Sequence, residues 1–421
     1  MAPLKRAPSE IDAGHRGAGG RGGRVDRGFP VLLVLAMAVG PYLQLGLTSI
    51  APVLRDELGL SRTQVGALPA ILSLAACVTA WRWGRWIDRS SAGRVATALF
   101  MSSAISFVAA AVAPGFLGLI PAVVLAGVAM GGSNPVTNDL IMSRYAVGHR
   151  GVIMGIKQSG VNAGILLAGV TLPLAAAAGF WREALFLSAA WPVAGLLLVR
   201  HQVVRQPHQP DQADLSVDDG PREEGARMPS EVRVPLRLLL AYTGIMGAAV
   251  ASGSTYAPLF AFESLDIGTS SAGFVTAVLG GVGFAARLSW GRVADRHADP
   301  RRLLQIMALG TAGGGVLVAI LGTVSYPLLL LALAVYASFS SAWVVVAMLT
   351  TTSAVPPAWS GQATGLVMMT FYAGYMIGPV SFGWLVDTFN TYTPAFTALV
   401  AMALVATLVP SRMHLKIEEI S

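Results

Sequence analysis

Twelve long apolar segments dominate this sequence, and each is long enough to cross a lipid bilayer as a helix. A spanning helix needs about 20 mostly apolar residues, because its backbone polar groups must be satisfied without water. Hydrophobic residues make up 54% of the chain and charged residues only 12%, which leaves too little polar sequence to enclose such segments in water. We predict spans near residues 29–51, 64–86, 94–113, 116–138, 151–173, 183–200, 236–260, 271–290, 303–323, 327–349, 362–386 and 393–411. These runs are too uniformly apolar for the strands of a β-barrel, so the sequence predicts an all-α membrane protein.

The sequence contains three polar segments, one at each end and one in the middle that divides the chain into two halves. Residues 1–28, rich in Gly and Arg, are predicted to form a disordered N-terminal tail, and 412–421 a short C-terminal tail. Residues 201–235 combine acids, arginines and prolines with little apolar content, which is typical of a flexible linker. The linker separates two predicted six-helix bundles, at 29–200 and 236–411.

The distribution of Lys and Arg predicts the orientation of the chain. Basic residues concentrate on the cytoplasmic side of membrane proteins. With both termini, the linker and the tails in the cytoplasm, only Arg55, Arg62 and Arg182 fall on the opposite side. Lys157 is then the one basic residue placed within a span. The high content of Gly, Ala and Arg suggests a GC-rich bacterial source and therefore the cytoplasmic (inner) membrane.

The two halves repeat one another. Short motifs at the ends of corresponding spans recur at a nearly constant offset, which favours two similar bundles in parallel orientation. The matching pairs are IAPVL (50–54) with YAPLF (256–260), GRWIDR (84–89) with GRVADR (291–296), and 151–164 with 361–374. The fold class predicted is therefore twelve transmembrane helices in two pseudo-symmetric six-helix bundles.

The loops after the second and eighth spans resemble the loop signature of the major facilitator superfamily (MFS) of secondary transporters. The signature residues are Gly84, Asp88, Arg89 and Arg94 in the first half, and Gly291, Asp295, Arg296, Arg301 and Arg302 in the second. Two extra residues between Arg89 and Gly93 depart from the family pattern. The resemblance covers residues 29–411 and implies a monomer whose two bundles rock about a central site, giving alternating access.

The signature residues are also predicted to act in gating. Contacts made by Gly84, Asp88 and the neighbouring arginines at the cytoplasmic face would hold the bundles together when the protein opens outward. The alternative is that the basic residues only fix the topology by their charge.

Lys157 is the strongest candidate for substrate binding. It lies six residues inside span five, about 9 Å deep at 1.5 Å per residue, where a charge costs about 3 kcal/mol on insertion scales. Gln158 and Asn162 share one helix face at i, i+4, and Asn134 of span four is expected at the same depth. A lysine among amides would attract an anion. The alternative is that Lys157 reaches back to the interface along its flexible stem, or is paired structurally.

Five further residues on spans that the family uses around its centre are candidates for the cavity. They are Tyr42, Gln44, Tyr336, Trp343 and Tyr372. Tyr336 and Trp343 are expected on one face of span ten, at i, i+7. For each residue the alternative is ordinary packing between helices.

The sequence also excludes several functions. The single cysteine, Cys77, excludes a disulfide framework and Cys-based metal sites, and all six histidines fall in predicted cytoplasmic segments. We therefore predict no enzyme activity, no metal, no cofactor and no nucleic-acid partner. The carboxylates Asp139, Glu183, Glu263 and Asp387 sit at span ends, so the buried acid of a cation-exporting proton antiporter is missing.

The sequence favours a secondary active transporter of a small organic solute, an anion such as a carboxylate. A coupling proton would travel on the substrate itself. Within the family the chain is similar to the branch of anion permeases that includes cyanate-type carriers. The alternative is a proton-coupled exporter of drugs or hydrophobic metabolites, and a non-transporting membrane sensor or scaffold is a third class.

Overall fold

The computed structural model describes residues 28–87, 89–145, 147–204, 230–296, 299–354 and 357–413, which contain no strand. The tails and most of the linker predicted above lie outside these residues. Fifteen α-helices occur in the described part: α1 (Gly28–Ser49), α2 (Ala51–Leu58), α3 (Arg62–Ile87), α4 (Ala92–Ala111), α5 (Phe116–Met142), α6 (Val147–Ala177), α7 (Trp181–Ser188), α8 (Ala190–Val199), α9 (Ser230–Leu265), α10 (Thr269–Arg296), α11 (Pro300–Leu321), α12 (Tyr326–Ser340), α13 (Trp343–Ala354), α14 (Pro357–Phe389) and α15 (Thr393–Ser411).

The twelve predicted spans are confirmed. Twelve segments of the described chain are long and apolar enough to cross a membrane. The sixth is shared by α7 and α8, and the tenth by α12 and α13. The expectation that Tyr336 and Trp343 share a face of one unbroken helix is wrong, because α12 ends at Ser340 and α13 begins at Trp343.

Glycines bring equivalent helices of the two halves into close contact. A Cβ atom on Gly164 would lie 2.4 Å from the carbonyl oxygen of Ala38, and one on Gly374 would lie 2.2 Å from that of Gly244. Helix α6 therefore packs on α1 as α14 packs on α9, backbone against backbone. Gly164 and Gly374 are the equivalent residues of the repeat 151–164/361–374. The spacing of Gly160 with Gly164 and of Gly374 with Gly378 predicts such close helix packing, and these contacts confirm it.

The apolar core is continuous on one side of the molecule and divided on the other. Since the number of spans is even, α1 begins and α15 ends on the same side, here named the termini face, and the opposite side is the far face. Towards the far face one cluster joins both halves and includes Leu47, Leu172 and Phe382. Towards the termini face each half has its own cluster, around Leu33 in the first and Trp343 in the second.

Charged side chains connect the halves at the far face. Arg62 Nη2 lies 3.0 Å from Glu263 Oε2, and Arg62 Nη1 lies 3.6 Å from Asp387 Oδ1. Arg55 also forms an ion pair with Glu263. The arginines belong to the first half and the acids to the second. We name these four residues the far-face network.

The halves diverge towards the termini face. Helices α6 and α10 touch at Gly280, whose Cβ would lie 2.6 Å from the backbone nitrogen of Leu166. Nearer the termini face, a Cβ on Gly155 of α6 or on Gly291 of α10 would meet no atom within 4 Å. The described ion pairs that join the halves all belong to the far-face network. The space between the two bundles, here called the cavity, therefore widens towards the termini face.

Candidate functional site

Lys157 is buried inside the first half. Its side chain is 2% exposed, and it follows the start of α6 by ten residues, about 15 Å at 1.5 Å per residue. The ammonium donates to Thr137 Oγ1 at 3.1 Å and to Asn138 Oδ1, both on α5. It therefore points into the bundle and does not reach back to the interface. No ion pair of the described residues includes Lys157, so neutral oxygen atoms hold its charge.

Asn138, and not Asn134, is the amide that contacts Lys157. The two asparagines are four residues apart on one face of α5, and Asn134 lies one turn farther from the termini face. Thr137 Oγ1 donates to the backbone oxygen of Asn134 at 3.2 Å. Helix α5 extends to Met142, four residues past the predicted span, and the ammonium binds the amide one turn nearer the termini face than Asn134.

Arg287 is a second cation within the spans, and the sequence reasoning missed it. It lies in the candidate span Thr269–Ala294, nine residues before the end of α10, or about 14 Å from that end. The expectation that Lys157 is the only embedded basic residue is therefore wrong. Arg287 lies next to the basic segment 291–296, so the sequence analysis assigned it to the cytoplasmic side together with that segment. As with Lys157, no described ion pair includes it.

The guanidinium of Arg287 satisfies a carbonyl group that is freed where span ten is interrupted. Between α12 and α13 the helical hydrogen bonds are broken, and Arg287 Nε donates to Ser341 O at 3.0 Å. Many transporters form binding sites at such discontinuous helices near the membrane centre. The interruption therefore fixes the position of the guanidinium against the backbone of Ser341.

Trp343, just after this interruption, has a buried indole N–H without a hydrogen-bond partner in the described chain. Its ring packs against Tyr242 and Phe371, with centroids 6.0 and 5.7 Å apart. Tyr336 lies on the other side of the interruption and donates to the backbone oxygen of Ala249 at 3.3 Å. Tyr336 thus packs within the second half, whereas Trp343 adjoins the site.

The amide side chains of α6, Gln158 and Asn162, lie opposite α10. A Cβ on Gly283 would lie 3.6 Å from Asn162 Oδ1, and the Asn162 side chain makes no hydrogen bond to other described residues. One turn towards the termini face, Gln158 on α6 is exposed, and Arg287 on α10 follows Gly283 by one turn. Because the helices are antiparallel, Gln158 and Arg287 lie at similar depth on opposite walls.

Two tyrosines of α14 complete the second half of the site. Tyr375 lies near Arg287, and its ring lies 4.6 Å from that of Phe371. The second tyrosine, Tyr372, lies near Cys77 of α3. Tyr372 was predicted for the cavity, and the structure places it where the two halves face each other.

Tyr42 and Gln44 on α1, which were predicted for the cavity, do not contact the residues around Lys157 and Arg287. The hydroxyl of Tyr42 is 2.8 Å from Thr171 Oγ1 and 2.9 Å from Ser188 Oγ, inside the first half. Gln44 Nε2 donates to Ser73 Oγ at 3.4 Å. Both residues are buried, and their contacts are those of helix packing. Gln44 joins α1 to α3, and Tyr42 joins α1 to α6 and α7.

The predicted gating residues are separated in this structure. A Cβ on Gly84 or Gly291 would meet no atom within 4 Å. Arg89 and Arg94 are exposed, and Arg94 Nε donates to Ser91 Oγ at 3.1 Å. Asp88 and the side chains of Asp295 and Arg296 lie outside the described residues. The gating role of this signature stays a prediction.

Asp299 anchors the start of α11 at the termini face. Its carboxylate accepts from the backbone N–H of Arg301 at 3.0 Å, pairs with the guanidinium of Arg301 at 3.1 Å and lies 3.6 Å from Arg302 Nε. Burial alone would raise the pKa of Asp299, but these bonds and charges hold the pKa below its ordinary value. The second copy of the loop signature therefore makes a local helix cap.

The arrangement favours anion binding over metal or acid–base chemistry. Among the described residues no group of three or more His, Cys, Asp or Glu could hold a metal ion. Lys157 belongs to the first half and Arg287 to the second, so each half carries one embedded cation.

Comparison with known proteins agrees with this architecture. The hexuronate transporter of Bacillus subtilis (strain 168) is 22% identical over 405 residues, which cover 90% of this chain and 93% of that protein. Monocarboxylate transporter 12 of Rattus norvegicus is 28% identical over 145 residues, or 33% of this chain and 30% of that protein. The crystal structure of a D-xylose-proton symporter matches with a TM-score of 0.77 and 17% identity, covering 91% of this chain and 97% of that one.

The sequence profile of one family covers nearly all of the described helices. This profile, described as Major Facilitator Superfamily, matches residues 32–379 and 290–416. Together with the twelve spans and the repeated halves, this match shows that the chain belongs to the Major Facilitator Superfamily and transports a small solute.

Proposed function

We propose that this transporter moves a small organic anion, such as a carboxylate, by rocker-switch alternating access. The observation that carries the proposal is the pair of embedded cations, Lys157 and Arg287, neither of which forms an ion pair with a described carboxylate. An embedded cation costs about 3 kcal/mol or more, so such residues persist where function requires them. Two cations without acids attract negative charge and repel positive charge.

An anion between Lys157 and Arg287 would connect the two halves. A guanidinium donates two parallel hydrogen bonds to a carboxylate, and the ammonium of Lys157 offers a point charge. Gln158 and Asn162 have amides available to the hydroxyl groups of a substrate. Since the cations belong to different halves, the binding energy depends on how the halves are oriented. That dependence is what a ligand needs to shift a conformational equilibrium.

Alternating access is supported by the asymmetry between the two faces. The far-face network closes one side, while Gly84 and Gly291 are separated on the other side. Closing the termini face would bring the loop signatures together as the far-face network opens. We propose that the termini face is cytoplasmic in a bacterial inner membrane, and that one chain is sufficient because it supplies both sides of the site.

The relatives favour an organic anion in this site. The names of two of them specify hexuronates and monocarboxylates, and both groups of compounds carry a carboxylate at neutral pH. A proton that accompanies such a substrate would neutralise its carboxylate, so coupling would need no acid on the protein. This agrees with the absence of an acid partner for Lys157 and Arg287 among the described residues.

The experiment is counterflow into proteoliposomes with glucuronate, galacturonate, lactate and pyruvate, and with xylose as a neutral sugar. We expect at least one carboxylate to exchange, and Lys157→Gln and Arg287→Gln each to reduce that exchange. The matched control is Arg412→Gln, which removes an exposed positive charge at the end of α15. Exchange of xylose alone, or equal exchange by all variants, would refute the anion proposal. Transport of hydrophobic compounds alone would establish the exporter instead.

A further inference from the structure

A cleft on the second half, separate from the central site, reaches from the far face into the membrane region. It has a volume of about 780 Å³ and lies between the far-face ends of α9, α11, α14 and α15. The central cavity opens towards the termini face, so the two spaces lie on opposite sides of the molecule.

The lining of the cleft changes from polar to apolar with depth. The mouth is formed by Thr391 and Tyr392, in the loop before α15, and by Thr393, the first residue of α15. The floor is formed by residues such as Phe396 and Val400. Val400 lies seven residues into α15, about 10 Å below its start. A ligand that fits has a polar end at the membrane surface and an apolar part that extends inwards.

The cleft is open to the side of the molecule as well as to its end. Val316 and Ile320 on α11 line it and are 39% and 59% exposed. Both lie within the span Pro300–Leu321, where exposed residues face acyl chains. The ligand therefore reaches the cleft from the bilayer.

We infer that the cleft binds a membrane phospholipid. One acyl chain would lie along Phe396 and Val400, with the phosphodiester at the mouth. Arg62 has five N–H donors, of which two bind Glu263, and its remaining N–H groups and the hydroxyl of Thr393 are donors that suit phosphate oxygens. A water-soluble anion would leave the apolar floor unfilled, and a diacylglycerol has no charged oxygen to bind the remaining N–H groups of Arg62.

The same residues belong to the contact between the halves. Arg62 and Glu263 line the cleft and form part of the far-face network, and Tyr392 donates to Glu263 Oε2 at 2.8 Å. A phosphodiester on Arg62 would add a contact to the closed far face. The bound lipid would therefore favour the state described here. This consequence rests on the proposed alternating access, whereas the binding itself does not.

The test uses the full chain in nanodiscs of one phospholipid that contain a trace of phosphatidylcholine with a diazirine on its acyl chain. After illumination, mass spectrometry locates the cross-links. We expect them to concentrate on the far-face ends of α11 and α15. Ala319→Trp should reduce them about tenfold by filling the cleft, while Leu309→Trp, exposed on the same helix but outside the cleft, should not.

A diazirine-labelled diacylglycerol tests the head group on the unmodified protein, so the result does not depend on the folding of a variant. We expect about tenfold fewer cross-links in the cleft, the effect of losing a hydrogen bond to a charged group. Equal labelling by diacylglycerol, or labelling spread evenly over the lipid-facing helices, would overturn the inference. Displacement of the lipid by millimolar inorganic phosphate would indicate a free-anion site and also overturn it. None of these outcomes bears on solute exchange, so the transport proposal succeeds or fails independently.

Discussion

Replacing Glu263 by glutamine should destabilise the closed far face. Glu263 accepts hydrogen bonds or ion pairs from Arg55, Arg62 and Tyr392. Glutamine has a similar shape but no charge, so both ion pairs are lost while packing is retained. Since Arg55 and Arg62 belong to the other half of the molecule, the loss applies only when the far face is closed.

The magnitude follows from the exposure of the three side chains. They are 26%, 22% and 16% exposed for Arg55, Arg62 and Glu263, which is intermediate between surface and buried pairs. Surface ion pairs contribute about 0.2–1 kcal/mol, and hydrogen bonds to charged groups about 1.5–3 kcal/mol. Taking about 0.7 kcal/mol for each of the two pairs gives about 1.4 kcal/mol, or a tenfold larger population of the open far face.

Thiol labelling can measure this population. Ser49 ends α1 at the far face, is fully buried, and contacts the other half through its backbone oxygen, 2.9 Å from where a Cβ of Gly273 would lie. In a background of Cys77→Ala, which removes the single native cysteine, Ser49→Cys supplies one thiol that reacts only when the halves separate. Its rate of reaction with a charged maleimide in nanodiscs should rise about tenfold in Glu263→Gln, in line with the free-energy change above.

Glu57 provides the matched control. Its carboxylate accepts from Trp181 Nε1 at 2.9 Å, a contact on the same face but within the first half, so Glu57→Gln should leave the labelling rate unchanged. Arg62→Gln should show non-additivity with Glu263→Gln, because the two residues form one pair. Equal labelling rates in Glu263→Gln and Glu57→Gln would refute the conclusion that the far-face network holds the halves together.

Three further predictions follow from single contacts. Gly374→Ala should lower the free energy of unfolding in detergent by about 1–3 kcal/mol, because the added Cβ would meet a backbone oxygen at 2.2 Å. Gly155→Ala, with open space around it, should not lower it. Equal melting temperatures of the two variants would contradict the packing. Asp299→Ala should cost about 1 kcal/mol through the lost cap of α11, and Asp299→Asn, which can still cap, should cost less. Because the pKa of Asp299 is lowered in the folded protein, the wild-type stabilisation should be complete above the unfolded pKa of about 3.9 and disappear as the pH falls through the folded value; an unchanged difference between wild type and Asp299→Asn at low pH would contradict this. Alkylation of Cys77, which lies near Tyr372 of the opposite half, should be slowed by a transported carboxylate and not by xylose, and equal rates would place the substrate elsewhere.

The architecture was predictable from the sequence because membrane helices depend on local properties. Each span is long and apolar by itself, and the repeated glycines that predict close packing, such as Gly164 and Gly374, meet backbone oxygens in the structure. The interruption between α12 and α13 was not predictable in this way, because serines such as Ser340 and Ser341 also occur inside unbroken spans, as Ser102 and Ser103 do in α4. Its cause is tertiary, since Arg287 from another helix satisfies the freed carbonyl.

The candidate site was predictable only in part. Lys157 stands out because a charge in an apolar run is conspicuous, but its partner depends on helix ends, and an error of one turn exchanged Asn138 for Asn134. Arg287 lies inside the predicted span 271–290, but it was counted with the basic segment 291–296 that it adjoins; α10 continues to Arg296 and leaves Arg287 nine residues inside the helix. Tyr42 illustrates the alternative of ordinary packing, because its hydroxyl is bonded within its own half, and the sequence does not reveal such partners.

The positions of Lys157, Arg287 and the far-face network set a condition on the transported anion. A ligand shifts an equilibrium only by its difference in affinity between the states. If the far-face network stabilises the present state by about 1.4 kcal/mol, the anion must bind about tenfold better to the state in which the termini face closes, merely to offset that contribution. In the proposed alternating access, closing the termini face would move the walls of α6 and α10 together at the depth of Lys157 and Arg287, where one carboxylate between two cations would gain most. An anion long enough to reach both cations should therefore drive closure, and one that reaches only one of them should bind without being transported efficiently.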